Sequence, residues 1–190
     1  TKFKNEEKKE KKGKKFYKVI GETLDISLGN LLDVFAREIG EKSAKDIERI
    51  AIGGKYIELP YTVKGIDLSY TGLLTHCIKE FKENKEKVRD ICYSIQETAF
   101  SMLCEVAERA LALTKKKELI LCGGVAQNKR LQEMFKIMSK DWGFKFGVAP
   151  NEYNRDNGAM IAYTSLVHKK VISLKDAVPI PKYRTDKFIF

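Results

Sequence analysis

Soft metal ligands are scarce in this chain. Its 190 residues hold two histidines and four cysteines. Cys77, Cys92, Cys104 and Cys122 lie far apart with no C-x-x-C pair among them, which argues against a zinc ribbon and against a disulfide framework. Each sits in an apolar helical or strand pattern, so they read as reduced, buried thiols of a cytosolic protein. No apolar run approaches the roughly 20 residues that a membrane-spanning helix needs. Nothing at the start reads as a secretory signal, and no segment repeats. The expectation is a chain without membrane contact, placed in the cytoplasm, or also in the nucleus if its source is eukaryotic.

What is present suits one compact domain. Hydrophobic residues make up 43% and charged residues 33%, enough apolar material for a core under a solvated surface. The formal net charge is +10, and residues 1–15, "TKFKNEEKKEKKGKK", contribute +5 of it. That run reads as a solvated flexible segment or hairpin tip, with loose electrostatic contact to nucleic acid as its functional alternative. The remaining mild basicity is compatible with an RNA partner.

Residues 16–190 read as one folded unit. "KFYKVI" alternates like a strand. In "GETLDISLGNLLDVFAREIG", Asp25 or Ser27 can cap a helix with Leu28, Leu31, Leu32, Phe35 and Ile39 on its apolar face, ended by Gly40. "AKDIERIAIGG" is a second, short helix. "KYIELPYTVKG" is extended, punctuated by Pro60 and Gly65. "DLSYTGLLTHCIKEFKEN" is helical, with Asp67 as its cap candidate. The longest helix spans "EKVRDICYSIQETAFSMLCEVAERALALTKK", with Ile91, Ile95, Met102, Val106, Ala110 and Leu113 as its buried stripe. Lys115 to Lys117 suit the negative end of its dipole.

From residue 118 onward the order changes to strand, helix, strand, helix. "ELILC" is a short buried strand, "VAQNKRLQEMFKIMSKDWG" a helix, "FKFGVAP" a strand and "RDNGAMIAYTSLVHKK" a helix. That order is a βαβα unit over 118–168 with a parallel sheet and a right-handed crossover, after a helical region over 27–114. Ligands of such sheets bind beyond the carboxyl ends of the strands. Gly123 and Gly124 end the first strand there. Their backbone admits a ligand closely, and the following helix offers it a positive N-terminus. The structural alternative for the glycines is a tight turn alone.

Six stretches in order carry a resemblance: "GETLDISLGNLLDVFARE", "YIELPYTVKGIDLSYTGLLT", "ICYSIQETAFSMLCEVAERAL", "LCGGVAQNKRLQEM", "RDNGAMIAY" and "PKYRTD". Together they resemble the carboxyl-terminal half of the archaeal and eukaryotic catalytic subunit of the KEOPS complex, a tRNA N6-adenosine threonylcarbamoyltransferase family. The resemblance implies an α/β chain with the actin/Hsp70-like (ASKHA) ATPase fold, here its carboxyl-terminal lobe with an inserted helical region. The implied activity moves a threonylcarbamoyl group from threonylcarbamoyl-AMP to N6 of the adenosine beside the anticodon, in tRNAs reading codons that begin with A.

By the same resemblance, Asn128 and the backbone of Gly123 and Gly124 face ATP or threonylcarbamoyl-AMP, Asp33 meets the ribose, and Glu48 is a second acidic residue at the nucleotide. Asp156 is implied as ligand to one divalent metal ion, iron or zinc, while also being a good N-cap for the helix after it. The chain departs from the family before Glu48, where "EKSAKD" replaces a Pro-Gly-Gly-Pro turn. The family's other metal ligands are two histidines four apart on a helix and a tyrosine near a phosphate loop. They belong to an amino-terminal lobe that this sequence does not contain, and His76 and His168 read as structural or exposed. No catalytic residue is assignable in this half. A separate chain or a missing segment is expected to supply the other lobe, and tRNA and other KEOPS subunits, including a small protein kinase, are the implied partners.

Two alternatives stand beside this reading. One is a non-catalytic scaffold of a KEOPS-like complex. The other is a different ASKHA-fold phosphotransferase, which shares only the glycine turn.

Overall fold

The computed structural model describes residues 17–168 and 172–179, with His168 described in its backbone only. The lysine-rich segment, "PKYRTD" and the side chain of His168 lie outside the described residues. The chain divides into two compact units, Gly21–Asp156 and a second made of Thr1–Ile20 with Asn157–Phe190.

In the larger unit the first helix, α1 (Leu28–Glu38), starts where Ser27 Oγ accepts the N–H of Asn30 at 3.2 Å. Leu31, Leu32, Phe35 and Ala36, spaced on one face, are buried, and the chain leaves the helix through Gly40 at φ 86°. The second helix, α2 (Ala44–Ile50), begins with Asp46 Oδ2 accepting the N–H of Ser43 at 3.1 Å and buries Ile47. Two short strands, β1 (Val63–Lys64) and β2 (Asp67–Leu68), pair antiparallel. Helix α3 (Thr71–Glu83) and the 27-residue α4 (Val88–Thr114) follow.

Helix α4 is the axis of the core, packed against α2, α3 and β2 on the helical side and later against α5. Ile91, Ile95, Met102 and Val106 are buried as their spacing implies, but Leu113 is 58% exposed. The stripe therefore ends a turn earlier than the sequence suggests. Helix α4 also anchors the extended segment 55–62. Asp90 Oδ1 accepts the N–H of Lys55 and Ser94 Oγ that of Ile57, each at 2.8 Å. Side chains take the place of a strand partner, so the stretch stays extended without joining a sheet. Gly54 lets it approach: a Cβ there would sit 2.7 Å from Arg89 O.

Three local expectations change. Asp67 does not cap α3. It lies in β2 and accepts the N–H of Glu22 at 2.9 Å. The donors at the start of α3 are taken by Asp25, whose carboxylate accepts from Tyr70 N–H at 2.8 Å and Thr71 N–H at 2.9 Å. Residues 17–20 of "KFYKVI" are not in a strand. Of the cysteines, Cys77 and Cys92 are buried, but Cys122 is exposed.

The larger unit ends in an α/β corner. Strand β3 (Glu118–Leu121) pairs parallel with β4 (Lys145–Val148), Leu119 opposite Phe146, and helix α5 (Lys129–Trp142) joins them. Leu131 and Phe135 are buried, and Phe135 stacks on Phe146 with ring centroids 5.5 Å apart. The expected burial of "ELILC" is one-sided, since Ile120 is 75% exposed. In the smaller unit, α6 (Gly158–His168) begins with Asn157 Oδ1 accepting the N–H of Met160 at 2.8 Å. The cap is thus Asn157 rather than Asp156. Most of the apolar side chains of α6 are exposed. No helix among the described residues is long and apolar enough to cross a membrane.

Candidate functional site: the carboxyl edge of the parallel strands

Both strands of the corner end at the same edge, so the turns after them are neighbours. After β3, Gly123 adopts φ 101°, ψ 171°, a backbone state that a side chain would forbid. One 3₁₀ turn (Gly124–Gln127) follows, and α5 starts at Lys129, later than the expected helix start at Val125.

Asn128 is the N-cap of α5 and 8% exposed. Its Oδ1 accepts the N–H of Leu131 at 3.0 Å, and its Nδ2 donates to Gln96 Oε1 of α4 at 2.8 Å. One Nδ2 hydrogen and one Oδ1 lone pair remain for another partner. The two bonds fix the amide plane before any ligand arrives. Glu48 reaches from α2 to the same helix start, its Oε1 accepting the N–H of Lys129 at 2.9 Å. A carboxylate there satisfies a first-turn donor and complements the helix dipole. Asp33, from α1, accepts the N–H of Ala44 at 2.8 Å through Oδ1. It therefore helps shape the "EKSAKD" loop.

These elements enclose one cavity of about 890 Å³. Asp33 and Glu48 line it on the helical side, Gly124, Gln127 and Asn128 on the β3 turn, and Arg155 on the segment after β4. Gly123 lies one residue before the lining. Asp156 is exposed, one residue beyond Arg155, and is not among the lining residues. Among the described residues, no three His, Cys, Asp or Glu side chains come together as a metal site.

Sequence reasoning passed over Gln127, Arg155 and Gln96. Arg155 stood beside Asp156 in the second turn, a charged residue at the strand edge that could have been marked. Gln96 gave no signal, because its partner Asn128 lies 32 residues away.

The arrangement is that of an α/β protein with a cleft at the carboxyl edge of a parallel sheet, the edge where ligands of such sheets bind. The chain belongs to the tRNA N6-adenosine threonylcarbamoyltransferase (TsaD) family, which residues 11–163 match. It is 52% identical to the tRNA N6-adenosine threonylcarbamoyltransferase of Thermococcus kodakarensis over 177 residues, 90% of this chain and 54% of that protein. The Thermofilum pendens protein of the same name is 49% identical, covering 91% of this chain and 53% of its own. A probable bifunctional tRNA threonylcarbamoyladenosine biosynthesis protein of Methanococcus maripaludis is 49% identical, over 92% of this chain and 32% of its own. The chain thus spans about half the length, or less, of these curated relatives. A crystal structure of T. kodakarensis HypF shares the fold with a TM-score of 0.55 at 21% identity, covering 75% of this chain and 20% of that one.

Proposed function

We propose that this chain forms the adenylate-binding part of a tRNA N6-adenosine threonylcarbamoyltransferase, with the carboxyl-terminal lobe of an ASKHA fold as its scaffold. The observation that carries the proposal is the shared cavity lined by Asp33, Glu48, Gly124 and Asn128, in a chain of this family. Asn128 would present its remaining N–H and lone pair to the adenine nucleotide. Asp33, with Oδ1 held by Ala44, would offer Oδ2 to the ribose hydroxyls. Arg155 brings a guanidinium suited to the phosphate of AMP.

In the reaction, the N6 amine of adenosine attacks the carbamoyl carbon of threonylcarbamoyl-AMP. A C–N bond forms, the C–O bond to the phosphate breaks, AMP leaves and N6 loses a proton. The chain's own residues contribute binding and orientation. A divalent metal would act as a Lewis acid. The described residues do not make a site for it by themselves, so Asp156 is proposed only as one of its oxygens, and no step is routed through the ion. The remaining ligands and the phosphate loop would come from sequence beyond these residues. Assembly with tRNA and other KEOPS subunits fits the bifunctional relatives, whose single chains join two functions.

The test is mass spectrometry of modified adenosine in tRNA given threonylcarbamoyl-AMP. The chain would be assayed alone and mixed with a polypeptide carrying the family's amino-terminal part. Product should form in the mixture only. Product from the chain alone would overturn the need for a second part. No product in either case, with a folded complex, would favour the scaffold alternative.

A further inference from the structure

At the opposite edge of the β3–β4 sheet, where both strands begin, lies a second cavity of about 460 Å³. The two edges are separated by four residues of strand, roughly 13 Å, and the two cavities share no lining residue. We propose that this groove binds an unpaired RNA nucleotide, the base against Trp142 and Phe144 and the phosphates on Lys115, Lys116 and Lys117. The proposal does not rest on the transferase reading, since a scaffold could hold RNA in the same way.

Four observations support it. Trp142, the one tryptophan of the sequence, is 63% exposed where it lines the groove. An indole left in water is a stacking platform for any base. Three consecutive lysines line the same groove, and none has an ion-pair partner among the described residues. Lys115 is held at φ 55° as the C-cap of α4, a position that glycine fills with less strain. The helix dipole favours one cation there but does not call for three beside an aromatic ring. Glu108 completes the lining with an acceptor for a base amine or a ribose hydroxyl.

Other polyanions fit less well. An acidic peptide would meet Glu108 as a like charge and leave both rings unused. An anionic bilayer is met by an amphipathic helix lying flat, whereas this is a concave site at the meeting of a helix end, a turn and a strand start.

The experiment is titration of the full chain with a short oligouridylate, which has no adenine to enter the other cleft. The signal is the fluorescence of Trp142, read as the difference between the protein and its Trp142→Phe variant. Saturable quenching is expected. Affinities of the Trp142 variants are read from the anisotropy of a dye-labelled oligouridylate, and Trp142→Ala should weaken binding about tenfold. The triple variant K115Q/K116Q/K117Q should lower the slope of log affinity against log salt by about 2. These side chains are exposed, so circular dichroism should show folded variants; Trp142→Phe should keep most of the affinity. Absence of Trp142-dependent quenching, an unchanged salt slope in the triple variant, or equal quenching by polyglutamate or phosphatidylserine vesicles would overturn the groove. Quenching with no product from the chain mixed with the family's amino-terminal part would overturn the transferase reading alone, and product in that mixture without quenching the groove alone.

Discussion

The helical block and the α/β corner of residues 21–156 handle buried polar groups differently. In the block, the buried Ser94 accepts the N–H of Ile57, and the buried Tyr70 donates its N–H to Asp25. In the corner, Gln127 Nε2 and Asn154 Oδ1 are buried and have no hydrogen-bond partner, and Ile120 is 75% exposed on the open sheet face. A buried donor without a partner costs about 1–3 kcal/mol. Among the described residues, the block leaves no buried side-chain polar atom without a partner. The corner is held in shape by Gln96 and Glu48 and leaves Gln127, which lines the cavity, with an unpaired amide nitrogen. The cavity is nevertheless lined from both parts, by Asp33 and Glu48 as well as by Gln127 and Asn128.

Thiol reactivity should expose the contrast most strongly. Burial pushes the thiols of Cys77 and Cys92 up to about 12, and both require local opening to react. Cys122, exposed beside Gly123, should react with a thiol reagent faster by a factor of roughly 1000. An adenine nucleotide should slow that labelling. Comparable rates at all three would break the distinction between block and corner.

Phe35 is fully buried in the block. Phe35→Ala should cost about 3–5 kcal/mol in urea unfolding, whereas Ile120→Ala on the open face should stay within about 0.5 kcal/mol. An equal cost at both would mean that another part of the protein covers the sheet.

Asn128→Ala should cost about 2 kcal/mol, because it removes the cap and leaves Gln96 Oε1 buried without its donor. Asn128→Asp keeps the acceptor for Leu131. With the Gln96 amide flipped to donate to the new carboxylate, it should lose less stability than the alanine variant and still lose nucleotide affinity if the amide N–H reads the ligand. Unchanged affinity by calorimetry would reduce Asn128 to a cap.

The smallest effect concerns Asp25. Desolvation raises its carboxyl, but the Tyr70 N–H, the Ser69 hydroxyl and the Thr71 N–H outweigh that and hold it well below the usual carboxylate range. A depressed folded value means that the stabilisation is complete above the unfolded value of about 3.9 and is lost as pH falls below it. Asp25→Asn should cost about 1 kcal/mol at neutral pH and flatten the acid limb of stability against pH. An unchanged acid limb would show that other carboxylates set it.

Much of the architecture was legible locally. Ser27, the spacing from Leu31 to Phe35, and Gly40 specify α1 within one stretch, because helix hydrogen bonds and side-chain faces join residues three or four apart. Gly123 marked the end of β3 for a similar reason, a backbone state that a side chain excludes. The misreadings were of another kind. Asp67 and Asp25 were both plausible caps, and nothing local says that Asp25 would serve a helix 45 residues later. Asp156 looked like a cap until Asn157 took that place, since adjacent Asp and Asn compete for one donor set.

From the sequence alone came the family, the helices and the glycine edge, since motifs and periodicity act over a few residues. Tertiary structure alone decided which strands exist and which polar groups meet. Residues 17–20 alternate like a strand but do not form one, and Ile120 faces water because only one side of the sheet is covered among the described residues. Asn128 meets Gln96 across 32 residues and Glu48 meets Lys129 across 81. A strand and a buried hydrogen bond both need a partner that chain separation does not specify, so they form only when the whole unit packs.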